Sequence, residues 1–218
     1  MNKLKYTAID YFYMFRGQVG PVRRRRRPAH YLQGEGRDIV LIPGLYEKWH
    51  FLRPLGNYLS PKGFRVHVTP GLGRNRRPIA VQARRLHDYL VANNIRDAVI
   101  VAHSKGGLIG LHYLIHHNAD HRVGKVIAIA APFSGSHIGR YARLRAIREL
   151  LPASDSIKAL RSKKVYSRVV SIYPEYDNHV WHADGSFLDG AKNIVHPVKG
   201  HHKILFDKAL LDIVAQEL

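Results

Sequence analysis

The sequence predicts an α/β protein with a mostly parallel central sheet and helices on both of its faces. Short runs rich in β-branched residues alternate along the chain with amphipathic stretches of helix length, which is the order that right-handed crossovers produce. Several of the short runs are apolar at nearly every position, as is typical of strands that are buried on both faces. The predicted strands are residues 38–42, 64–68, 98–102, 125–130, 168–172 and 193–195.

Amphipathic segments lie between most of these strands, and one more closes the chain. The first of them ends before Pro61, because proline cannot continue a helix. The long interval after the fourth strand holds two shorter segments. The predicted helices are residues 48–60, 79–93, 105–117, 139–150, 154–162 and 203–217.

Composition restricts the class of protein. The 218 residues are 45% hydrophobic and 23% charged, which fits one globular domain and excludes a wholly disordered chain. The absence of cysteine excludes disulfides, thiolate zinc sites and a cysteine nucleophile. No apolar run approaches the roughly 18 residues that span a bilayer, and Asp10 interrupts the apolar stretch that a secretory signal would need. We therefore expect a cytoplasmic protein, with peripheral contact to a membrane as the alternative.

Ser104 is the candidate nucleophile. It follows the most apolar predicted strand and opens a predicted helix, with the small residues Ala102 and Gly106 two positions before and after it. A serine on such a sharp turn leaves room only for small neighbours, and the turn exposes its hydroxyl at a helix N-terminus. The backbone N–H of Lys105 would then point at a developing oxyanion. A simple helix cap is the alternative interpretation.

A serine hydroxyl needs a base, and the base needs an orienting carboxylate. His201 follows Gly200 in a loop after the last predicted strand, with His202 as its rival. For the carboxylate we choose Asp177, with Glu175 as the alternative, in a segment where Pro174 predicts a turn directly after a strand. The order of serine, aspartate and histidine is one of those known for a triad.

A second oxyanion donor is expected from the end of the first predicted strand. There Gly44 allows the chain to bend so that the N–H of Leu45 can face the serine. The alternative is an ordinary Pro-Gly turn.

Together these segments resemble the α/β-hydrolase superfamily, and within it the bacterial lipases and carboxylesterases. The resemblance runs from about residue 37 to the C-terminus, through the segments IVLIPGLYEKWHFLRPLGNYL, VIVAHSKGGLIGLHYL, VIAIAAPFSGSHIGR, LLPASDSIKAL, YPEYDNHV and PVKGHHKILF. It implies a hydrolase domain over residues 37–218, with a short cap at about 134–164. Residues 1–36 differ in composition and are expected to form a basic N-terminal arm. The resemblance also implies that no cofactor is needed. The implied site consists of the catalytic residues Ser104, Asp177 and His201 and the oxyanion-hole amides of Leu45 and Lys105.

The resemblance implies a serine hydrolase that cleaves carboxylic esters through an acyl-enzyme. Two alternatives stay open. One is a lipid- or nucleic-acid-binding protein on an inactive scaffold, and the other is an acyltransferase, thioesterase or amidase on the same scaffold, because a fold does not determine its substrate. The sequence leaves the acyl chain length, the alcohol and the oligomeric state undetermined.

Two further features have competing interpretations. The formal net charge is +19, and Arg23 to Arg27 form an unbroken basic block that could contact anionic lipid, contact nucleic acid or remain solvated. We prefer the anionic membrane surface over nucleic acid, because a lipid-derived ester would suit it. His112 and His116 lie four residues apart and could bind zinc, but histidines near a helix C-terminus also complement its dipole, and we predict no metal.

Overall fold

The structure, a computed structural model, describes residues 2–19, 28–137, 144–181 and 185–218. Six strands form one fully parallel sheet in the order β2-β1-β3-β4-β5-β6. Every residue of the near-central strand β3 is buried, which explains its unbroken apolar sequence. The α/β class and the parallel sheet are confirmed. The strands are β1 (Asp38–Ile42), β2 (Arg65–Val68), β3 (Ala98–His103), β4 (Val123–Ile129), β5 (Val169–Tyr176) and β6 (Lys192–Lys199).

Helices cover both faces of the sheet, and most of them follow the predicted segments. Short 3-10 turns precede and follow α2, and another precedes α7. The two helices in the segment predicted to be a cap are single turns, shorter than predicted, and residues 138–143 lie outside the described residues. We call the described part of this segment the cap. The helices are α1 (Lys3–Val19), α2 (Arg53–Leu59), α3 (Ile79–Ala92), α4 (Lys105–His116), α5 (Arg145–Arg148), α6 (Asp155–Lys158) and α7 (Lys208–Gln216).

Two hydrophobic cores form because successive side chains of a strand point to opposite faces. On one face, α3 and α4 pack on Ile100 and Ala102 of β3. On the other face, α2 and α7 pack on Val99 and Val101 of the same strand. The alternation leaves no face of β3 exposed to water.

The predicted turn at Pro174 is wrong, because β5 continues through it to Tyr176. Strand β4 pairs with β5 only as far as Ile172, so beyond that residue β5 has a single neighbour, β6. Proline cannot donate to the ladder and is found in sheets at such one-sided stretches or at irregularities in the register. The register between β5 and β6 also shifts between Pro174 and Tyr176. The segment that carries Asp177 therefore begins later than the sequence suggests.

The N-terminal residues form a helix that the sequence analysis does not predict. Helix α1 packs on the domain where Gly17 meets Phe51, and a Cβ on Gly17 would lie 2.5 Å from the Phe51 ring. Asp10, on the same side of α1, is completely buried. Among the described residues, no helix is both long and apolar enough to cross a membrane.

Candidate active site

Ser104 lies on a strained turn between β3 and α4. Its φ of 51° and ψ of −123° place a non-glycine residue in a sparsely populated region, as is common at functional sites. A Cβ on Gly106 would lie 2.4 Å from the carbonyl oxygen of Ile42, so the turn requires glycine at that position. Ala102 is fully buried. The steric reason for small residues on both sides of Ser104 is therefore present.

Asp177 and His201 form a buried pair. The loops after β5 and β6 bring them together, and His201 Nδ1 lies 2.8 Å from Asp177 Oδ2. The other carboxylate oxygen, Asp177 Oδ1, accepts hydrogen bonds from the backbone N–H groups of His179 and Val180 at 2.7 and 2.8 Å. This arrangement fixes the carboxylate and leaves His201 Nε2 as the nitrogen available for another partner.

The alternative residues lie elsewhere. Glu175 is about half exposed and lies 3.7 Å from the ammonium group of Lys199. His202, the rival base, has its Nδ1 3.0 Å from Asp10 Oδ2. Of the candidate pairs, Asp177 with His201 is the one that the fold brings into contact.

The surrounding charges shift the pKa values of the pair in the direction that favours the ionised forms. Burial alone would lower the pKa of His201, but the Asp177 carboxylate, with smaller contributions from Asp10 and Glu47, raises that pKa above its usual value. For Asp177 the directions are reversed: burial alone would raise its pKa, but His201 and two backbone N–H groups lower it below the usual value. The His179 ring stacks on His201 at a centroid distance of 4.8 Å, and burial lowers the pKa of His179 to about 3, so this neighbour is neutral at pH 7.

A cavity of about 230 Å³ contains Ser104 and His201 in its wall. Its lining is mainly apolar and comes from α1, the β1 loop, the cap and the loops after β5 and β6. A larger cleft of about 670 Å³ lies on the other side of α5 and does not include Ser104. The apolar side chains that line the smaller cavity are those of Met14, Leu45, Phe51, Pro132, Ile147, Leu150 and Val180.

The loop after β1 is held on both sides of Leu45. The Gly44 N–H donates to Glu47 Oε2 at 2.6 Å, and the Tyr46 N–H donates to the Arg74 carbonyl at 2.7 Å. Lys105 is the first residue of α4, so its N–H has no acceptor within the helix. The oxyanion-hole roles of Leu45 and Lys105, like the catalytic roles of Ser104, Asp177 and His201, stay predictions.

A buried network that sequence reasoning missed lies beneath the cavity. His103 donates from Nε2 to the His201 carbonyl at 3.0 Å, and its Nδ1 lies 2.7 Å from Glu47 Oε1. His202 lies between Asp10 and Glu47, 3.0 and 3.5 Å from their carboxylate oxygens. The network thus connects α1, the loop after β1 and the loop that carries His201.

Asp10 is the anchor of this network. Its Oδ1 accepts the backbone N–H groups of His202 and Lys203 at 2.7 and 2.9 Å. Burial alone would raise its pKa, but the bonds to His202 and Lys203 lower the pKa well below its usual value. The sequence offers one signal for this residue, an isolated acid inside an aromatic stretch.

The side chain of Lys105 was also missed, because a lysine at the start of a helix is expected in water. It is fully buried, and its Nζ lies 2.8 Å from both Glu149 Oε2 and the Arg77 carbonyl. Glu149 Oε1 accepts the Ile79 N–H at 2.6 Å and the Ser156 hydroxyl at 3.0 Å. Glu149 therefore ties the cap to the N-termini of both α3 and α4.

Asp10, His179 and His202 form the group of described residues whose ligand atoms could share a metal ion, since all lie within 4.8 Å of one another. Three donors from His202 and Lys203 already occupy the Asp10 carboxylate. We therefore interpret the group as a hydrogen-bonded support. His112 and His116 have ring centroids 4.4 Å apart, and burial lowers the pKa of His112 to about 4.

Comparison with known proteins agrees with this architecture. A family model described as the alpha/beta hydrolase fold matches residues 39–148, about half of the chain. A pimeloyl-[acyl-carrier protein] methyl ester esterase from Vibrio cholerae serotype O1 is 31% identical over 102 residues, which are 46% of this chain and 39% of that esterase. The chain therefore aligns with well under half of this curated relative.

Solved structures extend the similarity over most of the chain. A lipase from Bacillus licheniformis in its mature form has a TM-score of 0.62 at 17% identity and covers 91% of this chain and 95% of its own. An enol-lactonase from Burkholderia xenovorans LB400 has a TM-score of 0.58 at 17% identity, with 84% and 91% covered. At these identities the similarity establishes the fold alone.

Proposed function

This chain belongs to the alpha/beta hydrolase fold family, and we propose that it is a serine hydrolase of carboxylic esters. The observation that carries the proposal is that the strained Ser104 borders the same cavity as His201, whose Nδ1 contacts the buried Asp177 carboxylate. A nucleophile, a base and an orienting carboxylate are the groups that acyl transfer needs.

In the proposed reaction, Ser104 Oγ attacks the acyl carbon while its proton passes to His201 Nε2. The tetrahedral intermediate collapses to an acyl-enzyme, and the imidazolium returns that proton to the departing alcohol. Water then repeats the sequence with His201 as base and releases the acid. The N–H groups of Leu45 and Lys105 stabilise the oxyanion, and one such donor contributes roughly 3–4 kcal/mol in comparable hydrolases.

The cavity supports a small, apolar acyl group. Its volume of about 230 Å³ and its wall of aliphatic and aromatic side chains leave little room for a long chain inside it. The curated relatives are named for the methyl ester of pimeloyl-[acyl-carrier protein], and we infer an ester with a similarly small alcohol. Comparison of free methyl esters with carrier-bound ones tests whether a carrier contributes to recognition.

Replacement of the nucleophile tests the proposal. Ser104→Ala is expected to abolish turnover of p-nitrophenyl esters and labelling by a fluorophosphonate probe. Ser162→Ala is the matched control, because Ser162 makes no side-chain cap hydrogen bond and does not line the cavity. Labelling that persists in Ser104→Ala, mapped by mass spectrometry to another serine, would contradict the proposal.

The other activities on this scaffold are separable outcomes. Ester formation with an added alcohol in excess of hydrolysis would indicate an acyltransferase, and preferred turnover of thioesters or amides would indicate those enzymes. Absence of both turnover and labelling in the wild type would favour a binding protein on an inactive scaffold.

Partners and location also remain proposals. We propose an ester substrate, a cytoplasmic location and contact of Arg23–Arg27 with an anionic membrane surface in preference to nucleic acid. These five arginines lie outside the described residues. The division into an arm over residues 1–36 and a domain over residues 37–218 is likewise a prediction.

A further inference from the structure

Helix α1 is apolar on the side that faces water. An amphipathic helix on a globular domain normally turns its apolar side inward. Here Leu4, Phe12, Phe15 and Val19 are 81%, 62%, 65% and 54% exposed. With 3.6 residues per turn, these positions and two exposed neighbours fall within an arc of about 100°. We call this surface the outer stripe, and its members are Leu4, Ala8, Tyr11, Phe12, Phe15 and Val19.

The opposite side of the same helix packs against the domain. Asp10 is buried against His202, and Gly17 is in contact with Phe51. Met14 and Gln18 line the cavity that contains Ser104. The outer stripe is therefore not the side of α1 that packs on the domain, and its exposure needs a separate explanation. Contiguous exposed apolar surface of this kind marks an interaction site.

The charges beside the outer stripe select its partner. Lys5 and Arg16 are exposed and follow the outer stripe on one side of the helix. The one acid of α1, Asp10, is buried on the opposite side. The basic block of residues 23–27 begins four residues after α1 ends. An apolar strip with cations at its border fits the interface of a bilayer that contains anionic lipid.

The other partners fit less well. A two-fold symmetric contact uses the same surface on both copies, so a contact through the outer stripe would bring Lys5 and Arg16 of one copy near the same cations of the other. Nucleic acid is bound mainly through phosphates, and an exposed strip of aliphatic and aromatic residues contributes little to that. We infer that the outer stripe of α1 docks the protein on an anionic lipid bilayer, with the helix axis parallel to the membrane surface.

Docking on this side would bring the bilayer close to the proposed active site. Helix α1 separates the outer stripe from the cavity wall, and a helix with its side chains is about 10 Å across. If the chain hydrolyses esters as proposed, the bound helix would favour substrates that partition into lipid. The docking itself does not depend on the hydrolysis, so the two can be tested separately.

Co-sedimentation with vesicles tests the docking. We expect the wild type to bind phosphatidylcholine vesicles that contain phosphatidylglycerol, to bind pure phosphatidylcholine much less, and to lose binding as salt rises. Phe12→Ser with Phe15→Ser should reduce the partition coefficient at least about tenfold, because two aromatic side chains no longer enter the interface. Val81→Ser with Val91→Ser is the matched control, since these exposed valines lie on α3.

The same samples separate this inference from the proposed function. Turnover of a short, water-soluble ester without vesicles should be unchanged in the Phe12/Phe15 variant. If neither the wild type nor the variant turns this ester over, the proposed catalysis fails while the docking result stands. Three results would overturn the inference: no binding of the wild type to anionic vesicles, unchanged binding of the Phe12/Phe15 variant, or a dimer in solution that this variant dissociates. Binding to an oligonucleotide with no binding to vesicles would identify nucleic acid as the partner instead.

Discussion

His201 is supported from two directions. Asp177 contacts its Nδ1, while His103 donates to its backbone carbonyl. The sequence contains fifteen histidines, and counting them does not indicate which one is the base. Its position after Gly200 favours His201 as the predicted base. Gly200 has a φ of 132°, which residues with a side chain rarely adopt. The loop can thereby turn back toward Asp177.

The raised pKa of His201 predicts the pH dependence of the reaction. A general base acts in its neutral form, so kcat/KM should rise with pH through the pKa of His201, with a midpoint above the ordinary value of 6.5. Asp177→Asn removes the main cause of the increase, so its midpoint should move to lower pH while kcat falls roughly 10³–10⁴-fold. The profile is measured between about pH 5 and 9 with an ester whose acid product is quantified by chromatography. A wild-type midpoint at or below 6.5, or the same midpoint in the variant, would contradict the assignment.

The elements around Ser104 are joined by side chains that also fix the cap. Helix α4 begins at Lys105, whose side chain runs inward to Glu149 just after α5. Because Glu149 also accepts the N–H of Ile79 at the start of α3, one carboxylate connects three elements. The two very short cap helices therefore depend on this buried contact more than on their own helical hydrogen bonds.

Removal of the Glu149 charge should destabilise the protein. We expect Glu149→Gln to lower the free energy of unfolding by about 3 kcal/mol, because the Lys105 ammonium would remain buried without its partner. The double variant Lys105→Met with Glu149→Leu should lose less than Glu149→Gln, since no unpaired charge remains. Urea unfolding followed by circular dichroism measures both. Asp155→Asn is the control, because its pair with Lys158 is exposed and contributes little. A double variant that loses as much stability as Glu149→Gln, or more, would refute the coupling.

At the scale of the whole molecule, Asp10 joins the two ends of the chain. It contacts His202 across 192 positions of sequence and is fully buried there. A carboxylate whose pKa is lowered by folding stabilises the native state above its unfolded pKa, and this contribution is lost as the pH falls through the folded value. Asp10, Glu47 and Asp177 all have lowered pKa values. The protein should therefore lose stability steeply in acid.

The contribution of Asp10 can be isolated by comparison with Asp10→Asn. We expect this variant to be about 2–4 kcal/mol less stable at pH 7, because three hydrogen bonds to an ionised carboxylate are weakened. The difference from the wild type should shrink as the pH falls below the unfolded value of 3.8. Urea unfolding at several pH values measures it, with Asp88→Asn as the control at an exposed surface pair. A difference that is constant with pH would show that the effect is not electrostatic.

The sequence by itself determined the order of strands and helices, the parallel sheet and the turn at Ser104. These features are local: β-branched runs, helical periodicity and the small residues beside Ser104 act over a few positions, and each leaves its pattern in the chain. The length of β5 was not determined locally. Whether a strand can continue through Pro174 depends on its neighbours in the sheet, and β4 does not pair with β5 beyond Ile172.

Only the tertiary structure decided which acid pairs with which histidine. Asp177 pairs with His201 and Asp10 with His202, and both pairs join residues that are distant in the sequence, so no short pattern predicts them. The burial of Lys105 against Glu149 likewise depends on how the cap packs on the domain. The side of α1 that faces water was hidden for the same reason, since both sides of that helix carry apolar residues. Contacts between distant parts of a chain become visible only when the fold brings them together, and in this protein those contacts surround the proposed active site.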